Sequence, residues 1–239
     1  MAVVTIRPLH LGSITRQTMV FAYWLRPGVI IDAPIIAWYI EGPHKKILVD
    51  SGGGDPDSST VQRFKPYKRE KHQAVENALE NIGVKCDDID IVVATHLHWD
   101  HCGGNALFPN AKIIVREEEL KAALSPFPVQ HGYERSLIES IDYKVVTEDL
   151  ELDEGVRTVF TPGHTYGLQG VLVEAPSTRY FIAGDTIGLF ENLGSNPFLI
   201  SGIYVDMKLY YETMKKIVGL SAFVLPGHDM KVFEKEIYA

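Results

Sequence analysis

Ile91-Val92-Val93-Ala94-Thr95-His96-Leu97-His98-Trp99-Asp100-His101 is the stretch whose reading decides this chain. An apolar, β-branched run of this kind is the pattern of a buried strand, and it empties into HxHxDH. Three imidazoles and a carboxylate fall within six residues, His96 to His101. A lone histidine is most often an ordinary surface or core residue. This crowding of neutral nitrogen and carboxylate oxygen is what a borderline divalent metal prefers, so the segment reads as a metal-binding turn at a strand end.

Working outward, three other positions repeat the same context. Val159-Phe160-Thr161-Pro162-Gly163 leads to His164, Phe181-Ile182-Ala183-Gly184 to Asp185, and Val224-Leu225-Pro226-Gly227 to His228. Glycine or proline ahead of the ligand lets the chain turn tightly out of a strand and leaves the side chain at the sheet's end. Seven donors exceed one tetrahedral ion and suit two ions that share a carboxylate. Neither cysteine is needed; Cys102, next to His101, reads as a small buried residue. The expected cofactor is therefore two divalent ions, zinc first, with iron or manganese open.

The remainder of the chain frames this site. Strand patterns recur at residues 47–49, 89–94, 112–115, 156–160, 170–173, 180–183 and 222–225, with a further apolar strand within 29–40. Helical spacing covers residues 70–82 and 207–218, the second with Asp206 as N-cap and Gly219 after its end; shorter helices are expected at 117–124 and 133–141. The class is α/β or α+β, and with no linker or repeat the chain reads as a single domain over residues 1–239. Loops 51–68, 125–132 and 188–205 are long enough to be lids or binding loops. Gly52-Gly53-Gly54 lacks the Lys-Ser/Thr of a phosphate loop and reads as a turn.

Composition removes other classes. The chain has 239 residues, 46% hydrophobic and 23% charged, and a net charge of −8 from 23 basic and 31 acidic residues. That balance disfavours a charge-driven grip on nucleic acid, so no nucleic-acid partner is expected. No basic stretch followed by an apolar one opens the sequence, and the run 29–40 is broken by Asp32 and Pro34, well short of the roughly 20 residues of a membrane helix. No membrane association is expected. Two cysteines point to a reducing, cytoplasmic setting. The expected partner is a small-molecule substrate, and the chain a monomer or homodimer.

His96, His98, Asp100, His101, His164, Asp185 and His228 match in order the signature of the metallo-β-lactamase superfamily, and the chain resembles most the N-acyl-homoserine lactone lactonases within it. Residues 47–52 (ILVDSG), 95–105 (THLHWDHCGGN), 161–165 (TPGHT) and 227–229 (GHD) carry the likeness. It implies an αββα sandwich, two mixed sheets flanked by helices with metals at one edge. It also implies His96, His98 and His164 on one ion, Asp100, His101 and His228 on the other, Asp185 bridging, and Asp50 supporting the site from behind.

The implied reaction is hydrolysis of a lactone by a hydroxide held between the ions, with Asp100 and Asp185 as catalytic residues. A Ser-His-Asp hydrolase is disfavoured, since no G-x-S-x-G elbow occurs. One position departs from the family pattern. Where many lactonases carry a tyrosine three residues after the bridging aspartate, this chain has Gly188, which removes one hydrogen-bond donor to the developing oxyanion. Tyr204 or Tyr166 is a candidate substitute. Trp24, Phe64, Trp99 and Tyr204 are the expected substrate contacts, with Phe21, Tyr67 and Phe190 as further aromatics near the mouth. The alternative is another ester or thioester hydrolase of the same fold. A glyoxalase II-like enzyme needs a basic C-terminal extension, and eleven residues follow His228; a metal-binding module without turnover is the reading from outside enzymology.

Overall fold

The computed structural model describes residues 4–176 and 178–239. Among these residues twelve strands form two sheets. The first has seven strands in the order β4-β1-β2-β3-β5-β6-β7, where β1 is Thr5–Gln17, β2 Ile30–Glu41, β3 Lys46–Val49, β4 Tyr67–Lys68, β5 Ile91–Val93, β6 Lys112–Arg116 and β7 Tyr143–Val146. The second has five in the order β12-β11-β10-β9-β8, with β8 Glu151–Asp153, β9 Val156–Phe160, β10 Gln169–Glu174, β11 Arg179–Ile182 and β12 Phe223–Leu225. The helices are α1 Thr18–Phe21, α2 Ser59–Gln62, α3 Val75–Glu80, α4 Trp99–Cys102, α5 Glu117–Leu124 and α6 Met207–Gly219.

Alternation of side chains along the strands explains the layering. Ile36, Trp38 and Ile40 of β2 face Val171, Val173 and Ile182 of the second sheet in one buried cluster. The residues between them, Ala37 and Tyr39, face the other way and pack in the cluster that includes Val75, Ala78 and Leu79 of α3. On the far side, Leu172 and Phe181 meet Tyr210, Met214 and Ile217 of α6. The result is helix, sheet, sheet, helix, the sandwich expected from the family resemblance.

Strand direction then places the site. β3 and β5 run parallel, as do β11 and β12, and β9 reaches β11 through two antiparallel steps, so it shares β11's direction. Asp50, the HxHxDH turn, His164, Asp185 and His228 each follow the C-terminal end of one of these five strands, and distances given below bring them to one edge.

Two of the expected helices form differently. The single helix expected over 70–82 is a 3-10 turn, Lys71–Gln73, followed by α3, with Ala74 extended between them. The side chains of Gln73 and Asn77 bond the backbone at Glu70 N and Lys71 O, which competes with helical hydrogen bonding. Over 133–141 only Arg135–Leu137 forms a 3-10 turn, because Glu134 accepts from Ser136 N and Tyr133 pairs with His98 as an isolated bridge. β1, which alternates polar and apolar residues around Pro8 and Gly12, has no counterpart among the expected strands, and neither do the short β4, β7 and β8. No helix among the described residues is long and apolar enough to cross a membrane.

Candidate metal centre

Seven side chains from two sheets converge. Ligand atoms of His96, His98, His164 and Asp185 lie within 4.8 Å of one another, and those of Asp100, His101 and His228 form a second such group. Asp185 stands between them. Its Oδ1 is 3.1 Å from His101 Nε2 and 3.0 Å from His228 Nε2; its Oδ2 is 3.3 Å from His164 Nε2 and 3.9 Å from His96 Nε2. One oxygen faces each group, the arrangement of a shared carboxylate.

Partners outside the cluster set the ring tautomers. His164 Nδ1 lies 2.9 Å from Ile203 O and His228 Nδ1 2.8 Å from Pro34 O. Carbonyls only accept, so each Nδ1 carries the proton and each Nε2 turns a lone pair inward. His101 Nδ1 donates to Asp50 Oδ2 at 2.7 Å. Thr95 donates its hydroxyl to Asp50 Oδ2 at 2.9 Å and can therefore accept from His96 Nδ1 at 3.1 Å. Asp50 also accepts from Thr95 N at 2.8 Å. It holds a left-handed backbone, φ 63°, which for a residue with a side chain costs about 1 kcal/mol and is sustained by these bonds.

These inward lone pairs test whether metal fits. His98 Nδ1 lies 3.0 Å from His96 Nε2 and 3.1 Å from His164 Nε2, and a single N–H cannot serve both. His101 Nε2 and Asp185 Oδ1 are buried and 3.1 Å apart, yet neither makes a well-aligned hydrogen bond. Nitrogen and carboxylate donors converging without enough protons between them, each steadied from behind, suit divalent cations. Electrostatics agrees. Burial holds the His96, His98 and His164 imidazoles below their ordinary range, keeping them neutral. Burial acts the same way on His101 and His228 and is the largest single influence, but the surrounding carboxylates together outweigh it, Asp185, Asp50 and Asp100 at His101 and Asp185 with Asp100 at His228, and lift both; bound cations would take the place of those protons. Asp185 itself is pushed up by burial but held well below the carboxylate range by His228, His101 and His164.

Close backbone approach shapes the surround. A Cβ on Gly103 would stand 2.5 Å from Gly53 C and Gly54 N, and Gly103 N donates to Gly52 O at 2.7 Å. The Gly52-Gly53-Gly54 run is thus the turn expected of it, pressed against the metal-motif helix. A Cβ on Gly132 would meet the His98 ring at 2.3 Å, and Gly132 O accepts from Trp99 N at 2.9 Å.

Residues 32–228 match the metallo-beta-lactamase superfamily. The chain belongs to that superfamily. A metallo-beta-lactamase relative, the N-acyl homoserine lactonase of a Bacillus species, is 32% identical over 226 residues, covering 87% of this chain and 86% of that one. N-acyl homoserine lactonase AiiA of Bacillus thuringiensis subsp. kurstaki is 30% identical over 223 residues with the same coverage. Among solved structures, an N-acyl homoserine lactone hydrolase with the product N-hexanoyl-L-homoserine at its catalytic metal centre superposes with a TM-score of 0.84 at 25% identity, covering 98% of this chain and 96% of that one. As a member of that superfamily with these relatives, the chain is a metal-dependent hydrolase, and its His/Asp set fits two metal ions.

The cluster opens on a cavity of about 480 Å³. The three loops singled out by length converge on it: Phe64 from 51–68, residues 129–132 from 125–132, and Gly188 with residues 201–205 from 188–205. Phe64 and Trp99 stack at 4.7 Å and 7°, with Tyr67 edge-on to Trp99 at 5.0 Å. Tyr204 lines the cavity and meets Tyr23 edge-on at 6.3 Å. Trp24, one of the four expected contacts, is not among the lining residues: it is 64% exposed in a left-handed turn, φ 59°, and packs edge-on against Tyr23. Tyr166 and Phe190 also stand outside. Phe21 lies 3.4 Å from where a Cβ on Gly188 would be, and its ring packs on His228 at 5.0 Å, so the wall beside Gly188 offers an aromatic without a hydroxyl.

Some positioning residues carried no signal in the sequence. Glu119, fully buried, accepts from Leu97 N at 2.9 Å, Tyr133 Oη at 3.1 Å and Gly167 N at 3.1 Å, joining the HxHxDH turn to the loop after His164. It sits in a run of three glutamates that reads as a solvated first turn of helix. Tyr210 Oη lies 2.5 Å from Asp185 O and 2.9 Å from Thr186 O, tying α6 to the bridging carboxylate's backbone.

Proposed function

We propose that this hydrolase opens a lactone ring of the N-acyl-homoserine-lactone kind. The observation that carries the reading is contiguity: Asp100, Asp185 and His228 share one cavity with the apolar side chains of Ile14, Val20 and Phe64. A compact polar ring beside the cluster and an acyl group along that wall match such a space. The lactonase relatives, at about 30% identity along most of the chain, support the choice of substrate class.

His96, His98 and His164 would hold one ion, Asp100, His101 and His228 the other, and Asp185 would bridge them. Two divalent ions bound there lower the pKa of a water and polarise a carbonyl. The chain's own groups do the rest. Water adds to the carbonyl carbon, the ring C–O bond breaks, and the ring oxygen leaves needing a proton. The Asp100 carboxylate, which faces the cavity, orients the water, holds the proton it gives up and returns it to that oxygen. Asp50 and Thr95 keep the His101 and His96 rings aimed. Phe64 and Trp99 shield the acyl side from solvent. With Gly188 in place of a tyrosine, Tyr204 is the hydroxyl available in the cavity wall to contact the carbonyl oxygen.

A panel scored by proton release tests the reading: short and long acyl-homoserine lactones, aromatic lactones, open-chain esters, thioesters and phosphodiesters. Acyl lactones should show the highest kcat/KM, with activity lost on chelation. Equal or better hydrolysis of open-chain esters or thioesters would overturn the lactone assignment.

A further inference from the structure

Arg16, near the end of β1, stands in the wall between the metal-cluster cavity and a second, shallower groove of about 590 Å³. That groove is lined mainly by Met19, Tyr23, Ile30 and Pro66, and it shares Arg16, Val20, Gly202 and Ile203 with the first cavity. The guanidinium is clamped from one side: Nη1 donates to Thr15 O and Nη2 to Phe64 O, both at 2.9 Å. Both partners are neutral carbonyls. Among the described residues no carboxylate forms an ion pair with Arg16, whereas Arg63 is paired with Glu134 and buried Arg116 with Asp149.

Two clamped bonds leave three of the five guanidinium N–H groups for other acceptors. A half-buried cation between apolar walls gains from an oxygen acceptor that replaces lost water, and a clamped side chain loses little freedom in binding one. The apolar stretches on either side define what passes it: a chain that leaves the cluster, carries a carbonyl where it crosses Arg16, and ends in a hydrocarbon tail.

We propose that Arg16 is a specificity-determining residue that binds a carbonyl oxygen on the substrate's acyl chain, between the scissile ring and an apolar tail lying in the second groove. The inference rests on the lactonase reading above. The carbonyl can be the amide of an N-acyl group or an oxo substituent beyond it, and three substrates of matched length separate these: a γ-lactone with a plain alkyl chain, an N-acyl-homoserine lactone and its 3-oxoacyl counterpart.

The test compares wild type, Arg16→Met and Arg16→Lys on all three. Arg16→Met should lose about tenfold or more in kcat/KM, mainly through KM, on one or both carbonyl-bearing lactones. The alkyl lactone should be hydrolysed as by wild type, and Arg16→Lys should recover part of the loss. A fall only with the oxo compound places the contact at the oxo group; a fall with both acyl lactones places it at the amide. A uniform fall across the three would show that Arg16 acts only by holding Phe64, and an unchanged profile would show no contact; either overturns the inference while leaving the lactonase reading intact. If wild type hydrolyses none of the three, both readings fall together.

Discussion

The metal cluster and the cavity wall it opens on are built to opposite standards. Each cluster histidine but His98 has its outer nitrogen held by a named acceptor, Asp50 is kept in a left-handed conformation by three bonds, and glycines let two backbone segments meet beneath. Much of the wall is drawn from loops, and Tyr204, Val129 and His131 stand partly in solvent. Rigidity belongs where charge must be placed within fractions of an ångström, and adaptability where a substrate is chosen. Chemistry in this molecule is therefore the burden of buried hydrogen bonds, and selectivity that of the side chains along the cavity wall.

Substitutions can break that contrast. Asp185→Ala removes the group shared by both halves and leaves the Nε2 atoms of His101 and His228 without their nearest carboxylate oxygen; we expect fewer than two metal ions per chain by elemental analysis and a loss of about a thousandfold or more in kcat. Asp100→Asn keeps the shape but not the base, so kcat should fall about a hundredfold or more with metal retained. Full activity with both metals bound would refute the proton role. Asp50→Asn acts one step further out, on the aim of His101, and should weaken metal affinity by about 10- to 100-fold in a chelator competition. On the wall, Phe64→Ala should raise KM for long acyl lactones by about tenfold while leaving kcat near wild type. Trp24→Ala, outside the cavity, should change neither constant by more than about twofold; a larger effect would show that the loop carrying it closes over substrate.

The same contrast governs what could be read from residues alone. HxHxDH was legible because its members are adjacent in sequence, and His164, Asp185 and His228 because each repeats a strand followed by a Gly- or Pro-turn. Asp50 was legible only through the family likeness. Glu119 was hidden, since an acidic first turn of helix looks the same whether or not one member folds beneath the core. Arg16 was hidden for the opposite reason: its importance comes from the absence of a carboxylate that only tertiary structure reveals. Trp24 and Phe64 are both aromatics in loops, and nothing in composition tells that a left-handed turn sends one to solvent while stacking on Trp99 draws the other in. The unbroken helix over 70–82 failed because side-chain competition at Gln73 and Asn77 does not alter the apolar periodicity.

The five turns that carry the cluster come from both sheets: Asp50 and the HxHxDH segment from the first, His164, Asp185 and His228 from the second. Cation occupancy is therefore coupled to the docking of one half of the sandwich on the other. By linkage, a ligand present at a thousand times its dissociation constant adds about 4 kcal/mol to the folded state, and here that increment falls on the seam between the sheets. The melting temperature should climb with free metal concentration, making the cluster a rivet as well as a reagent, and metal-starved cells would hold a protein that is less durable as well as less active.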